Sequence, residues 1–241
     1  MTDSSPADRV WGVVTAHADA LGVAASVRSL CQAAAARLPV GGVAVSVRGH
    51  MVVSEVFCAS GPLSRKLEEL QLTVGEGPSL EVLAGGRSVL VDDLDSAEVQ
   101  ARWPLFAPQA VEAGARALVA LPIRMGAIRA GVFVLSCDYP GGLSGKDLAE
   151  AWVFADCALG LLLGAHASLD SQDGDPAVAA LSDGQPEVHQ ATGMISVQLG
   201  VGIEEAFSRL RARAFVDGRP LSELAADVVA RRLRFDPEDT V

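Results

Sequence analysis

ALVALPIRMGAIRAGVFVLSC, residues 117–137, is the stretch on which the fold turns. Two runs rich in Val, Leu, Ile and Phe, 117–123 and 128–137, meet around Gly126. Strand formers interrupted by one turn residue predict an antiparallel hairpin. Upstream, Val43, Val45 and Val47 alternate with Ala44, Ser46 and Arg48, which predicts a half-buried strand. Gly49 and His50 turn the chain into a second strand over 51–59.

Helical stretches lie between and around these hairpins. Residues 18–38 carry apolar side chains at helical spacing and stop at Pro39, Gly41 and Gly42, while residues 1–17 read as a loose lead-in. Residues 63–91 hold two short helices and a short strand, broken at Gly75, Gly77 and Pro78 and again at Gly85 and Gly86. Asp92, Asp93 and Asp95 mark an exposed loop, and Trp103–Pro104 precede a helix to about Ala113. Ser144, three residues before Asp147, caps a long helix that buries Leu148, Trp152, Ala155, Leu159 and Leu162. Antiparallel hairpins separated by helices specify an α+β domain, a central antiparallel sheet flanked by helices, over 18–166.

The polar, acidic, Gly- and Pro-containing segment 167–186 reads as a linker. Beyond it, 187–235 is helical in pattern throughout, an all-α three-helix module, and 236–241 is a tail. The first helix places Val188, Ala191, Ile195 and Leu199 on one face and ends at Gly200. The second places Ile203, Ala206, Phe207, Leu210 and Ala214 on one face, with Gly202 at its N-cap and Gly218 at its end. Pro220 opens the third, which buries Leu221, Leu224, Ala225 and Val228.

Composition narrows the function. The chain has 241 residues, a net charge of -11 and four cysteines. An acidic chain repels nucleic acid unless positive charge is concentrated locally. Cys31, Cys58, Cys137 and Cys157 show no CxxC spacing and read as buried, reduced thiols. The polar start is unlike a signal peptide, and no run of charge-free apolar residues is long enough to span a membrane. A cytoplasmic protein is expected. The four histidines have no ligand spacing, no phosphate-binding glycine loop is present, and no nucleophile, base and orienting group fall together. No catalytic residue, metal site or cofactor is therefore nominated.

The informative feature is local. Residues 206–234 contain Arg209, Arg211, Arg213, Arg219, Arg231, Arg232 and Arg234 against Asp217, Glu223 and Asp227, a net of +4 in an anionic chain. At about 100° per residue, Arg209 and Arg213 share one flank of the second helix, Arg211 takes the other, and Arg219 lies in the turn. Guanidinium groups pair with phosphate and stack on bases, so the cluster is a candidate nucleic-acid face.

Residues 190–232, QATGMISVQLGVGIEEAFSRLRARAFVDGRPLSELAADVVARR, resemble an ANTAR domain, the output module of transcription antitermination regulators. Gln190, Ala191 and Gly193 match the start of its first helix, and Ala206, Leu210, Arg211 and Ala214 its second. Leu221 to Ala225 match its third with one residue of slack. The family often carries Lys where this chain has Thr192. Residues 18–166 resemble a GAF domain through VGEGPSLEVLAGGRSVLVDDL (74–94), RWPLFAPQAVEAGARALVALPI (102–123) and GVFVLSC (131–137).

The resemblance implies RNA stem-loops, in tandem, as the partner, and a small molecule, redox state or signalling protein as the input to the GAF-like half. It implies a homodimer, because twin hairpins call for two copies of the module. Gln190, Gly193, Arg209, Arg211, Arg213 and Arg219 are the expected RNA contacts: Gln190 on a base edge, Gly193 admitting close backbone approach, the arginines on phosphate. Two other readings of the helices are open, a helix-turn-helix mimic on duplex DNA and a dimerising adaptor with no nucleic-acid affinity.

Overall fold

A computed structural model of the chain describes residues 5–47, 55–126, 128–170 and 186–236. Its N-terminal half runs α1 (Pro6–Ala20), α2 (Val27–Arg37), β1 (Gly42–Val47), β2 (Glu55–Ala59), α3 (Pro62–Val74), α4 (Pro78–Gly85) and β3 (Val89–Val91). It continues with α5 (Ala97–Arg102), α6 (Ala107–Glu112), β4 (Ala117–Met125), β5 (Ile128–Cys137) and α7 (Gly145–Asp170). The strands form one antiparallel sheet in the order β2-β1-β5-β4-β3. The central hairpin pairs Leu121 with Phe133, and Val45 on β1 continues that row across the sheet.

Both sheet faces are covered. Because side chains alternate along a strand, Val43, Val45, Leu121, Phe133 and Leu135 share a core with Leu30 of α2 and Phe154 of α7. Leu118, Ala120, Val132 and Val134 meet Leu83 of α4, Trp103 and Phe106 on the other face. Phe133 and Phe154 stack with centroids 6.5 Å apart and planes at 6°. The half-buried reading of β1 is thereby corrected. Its second face, Ala44 and Ser46, is buried as well, since its small residues make room for α3 and Ser46 finds a hydrogen-bond partner there.

The start of the chain also differs from its sequence reading. The segment taken as a lead-in is helical. Ser5 accepts from the backbone of Asp8 while the Asp8 carboxylate accepts from the backbone of Ser5, and Pro6 takes the first helical position. Gly22, left-handed at φ 67°, interrupts what had read as one helix, and a second cap at Ser26 and Ser29 restarts it as α2. The Asp92–Asp95 loop runs into a short helix, α5, capped by Ser96. The turn expected at Gly49–His50 lies outside the described residues, as does 171–185 of the expected linker. Residues 167–170 continue α7.

Cys31 and Cys58 are joined sulfur to sulfur across the α2–β2 contact, where four reduced thiols were expected. Spacing offered no hint, because the partners are 27 residues apart and meet only through the fold. Cys137 is buried and Cys157 half-buried. Among the described residues, no helix is long and apolar enough to cross a membrane.

Candidate nucleic-acid interface

The C-terminal helices are α8 (Pro186–Leu199), α9 (Ile203–Val216) and α10 (Leu221–Val229). Val188, Ala191 and Ile195 of α8, Ala206, Phe207, Leu210 and Ala214 of α9, and Leu221, Leu224, Ala225 and Val228 of α10 form one core. Gly200 and Gly218, both left-handed, make the two reversals. Pro220 sits at the N-cap of α10 rather than inside its first turn. One member of this core comes from elsewhere: Leu72 of α3, only 6% exposed.

Gln190 is exposed on α8, and Val197, seven residues on, is 84% exposed. A Cβ added to Gly193 would meet nothing within 4 Å. Packing among the described residues therefore does not require a glycine there. Thr192, where the family often has Lys, is fully buried and donates its hydroxyl to the Val188 carbonyl at 2.7 Å.

The four candidate arginines divide. Arg209 pairs with Glu205 at 3.1 Å and Arg213 with Asp217 at 2.9 Å, each one helical turn apart on an exposed flank of α9. Arg219 pairs with Asp227 at 2.7 Å and reaches Glu223 at 3.9 Å, and Arg232 closes on the other Asp227 oxygen at 2.7 Å. These guanidinium groups hold the Asp227 carboxyl below the usual carboxylate range, and the hydrogen bond to Asp227 raises the pKa of Arg219 in turn. Exposed pairs of this kind contribute little to stability because solvent screens them, so a phosphate group can displace the acid.

Arg211 does something else. It turns to α3, where its Nε donates to the Thr73 carbonyl at 3.2 Å and its guanidinium lies 5.7 Å from the centre of the Phe207 ring. Burial lowers its pKa. The six expected contacts thus do not form one patch: Arg211 faces the N-terminal half, while Arg209 and Arg213 face away on the opposite flank.

Two arginines beyond those six are also exposed in the C-terminal module. Arg231 and Arg234 are exposed just past α10, and among the described residues no acidic side chain pairs with either. Arg231 occupies the left-handed position that ends the helix, at φ 59°. Its amide donates to the Val228 carbonyl and that of Arg232 to Asp227. Glycine is usual there, because a Cβ strains the backbone. Arg231→Gly is expected to stabilise the chain by about 1 kcal/mol and to weaken polyanion binding. A melting curve and a gel shift check the two signs.

Behind the Arg211 contact, α3 carries a buried polar cluster. The Glu68 carboxylate accepts from Ser46 Oγ at 2.6 Å, Gln71 Nε2 at 2.7 Å and Ser79 Oγ at 2.8 Å. Gln71 Oε1 accepts from the Ser79 amide at 2.7 Å and so pins the Gly75–Ser79 turn from inside. Burial pushes the Glu68 carboxyl up, against the hydrogen bonds from Ser46, Ser79 and Gln71. Among the described residues, no group of three His, Cys, Asp or Glu side chains is placed to hold a metal ion.

Residues 180–229 match the family model of the ANTAR domain. No curated protein matches the chain. Among solved structures, a GAF domain of an Acinetobacter phosphoenolpyruvate-protein phosphotransferase is 13% identical, with a TM-score of 0.49 over 69% of this chain and 99% of its own. The equivalent domain from Coxiella burnetii is 16% identical, with a TM-score of 0.49 over 68% and 98%. A free methionine-R-sulfoxide reductase of Thermoplasma acidophilum is 14% identical, with a TM-score of 0.42 over 63% and 96%.

Proposed function

We propose, for a chain that carries an ANTAR domain at its C-terminal end, that it is a signal-responsive, RNA-binding regulator of transcription antitermination. The family match over 180–229 carries this reading. In it, α8 to α10 bind RNA stem-loops, two copies of the chain engage a twin hairpin, and the GAF-like half takes the input from a small molecule, redox state or partner. The placement of the side chains supports it. Gln190 and Gly193 present an open stretch of α8 to a partner, and Arg209, Arg213 and Arg219 hold exchangeable acids at the surface.

Gly193→Ala tests it. A glycine within a helix costs about 0.5–1 kcal/mol relative to alanine, and no contact among the described residues offsets that cost here. The variant is expected to melt a few degrees higher, yet to bind a twin-hairpin RNA several-fold more weakly in a gel shift. Higher stability with unchanged affinity removes Gly193 from the interface. Arg209→Ala with Arg213→Ala is expected to weaken binding and flatten its salt dependence by about one phosphate contact per arginine lost. Stronger retention on duplex DNA at matched salt would move the output to DNA.

A further inference from the structure

We propose that Arg211 is a latch: docked on the end of α3, it holds the helical module against the N-terminal half and is thereby withheld from RNA. This deepens the RNA-binding reading and rests on it.

The receptor on α3 fits a guanidinium in several independent ways. Thr73 lies in the last turn of its helix, where carbonyls have no partner within the helix and the dipole is negative. Its oxygen takes the Arg211 Nε. Gly75, the left-handed cap at φ 77°, leaves the space that the guanidinium fills, and any Cβ there would overlap Nη2. Phe207 lies alongside the guanidinium, and Leu72 plugs the module core one turn earlier in α3. A long cationic side chain held in this way is turned away from a phosphate that lies along the Arg209–Arg213 flank. The glycine cap it grips is tied through Gln71 to the polar interior around Glu68. A rearrangement inside the GAF-like half therefore reaches Arg211 through a single turn of chain.

The test uses the full-length protein with two substitutions. Gly75→Asn keeps a residue that tolerates the left-handed conformation but fills the guanidinium's space, leaving every arginine in place. Arg211→Ala removes the latch itself. Hydrogen exchange of α9 and of the last turn of α3 is expected to quicken about tenfold in both variants. The affinity of Gly75→Asn for a twin-hairpin RNA is expected to rise several-fold. Unchanged exchange in both variants overturns the latch. So does faster exchange in Gly75→Asn with affinity unchanged or lower when the wild type binds. Faster exchange in both variants with no RNA binding by any form, wild type included, keeps the latch and refutes the RNA reading instead.

Discussion

Phe133→Ala is expected to lower the stability of the N-terminal half by about 4 kcal/mol, the usual loss when a fully buried phenylalanine is truncated. Phe133 is central in every direction. It lies on β5 between Val45 and Leu121, and its ring stacks on Phe154 of α7. Truncation removes the ring's burial and leaves a cavity whose walls belong to a sheet and a long helix, neither of which can collapse into it. A domain stable by about 5–15 kcal/mol is brought close to its unfolding threshold. Urea denaturation followed by tryptophan emission should show the midpoint fall with little change in slope. A loss under about 1 kcal/mol would mean that the two rings are not packed as described.

The second large effect concerns Glu68, whose carboxyl is buried among hydrogen-bond donors with, among the described residues, no cation beside it. Glu68→Ala leaves Ser46, Gln71 and Ser79 without their shared acceptor and opens a hole, and is expected to cost about 3 kcal/mol. Glu68→Gln keeps the shape and should behave differently with pH. Because burial raises the folded-state pKa, folding favours the protonated form. Stability is then fullest below the ordinary value of 4.5 and is lost as pH rises through the raised folded value. Glutamine has no charge to bury, so the variant should gain on the wild type with rising pH. Parallel stability curves for the two proteins would show that the carboxyl is not perturbed.

The parts of this fold legible in the sequence were those where local chemistry and long-range packing agree. The 117–137 hairpin declares itself because its strands are apolar, β-branched and separated by a glycine. The three C-terminal helices do so because their apolar stripes end at Gly200 and Gly218. Ser46 misled because a polar residue alternating with valines normally faces water, and only the fold brings Glu68 over it. The helix from Pro6 was missed although its Ser-Pro-x-Asp start is a capping box, because the polar lead outweighed that signal. Cys31 and Cys58 meet through tertiary packing alone.

The candidate interface was legible as residue types but not as an arrangement. Helical spacing correctly put Arg211 on the opposite flank from Arg209 and Arg213, yet nothing in the local pattern says that α3 occupies that flank. Arg231 and Arg234 were counted only as charge, because both lie past the last turn of α10, where helical spacing no longer assigns a residue to a face.

Leu72 bears on modularity. A C-terminal trio transplanted onto a foreign N-terminal domain arrives one leucine short. The new host must offer an apolar side chain at the same spot, or the graft carries an unfilled hollow of its own. Chimaeras of these three helices should therefore be joined with α3 included, not cut at the connecting segment.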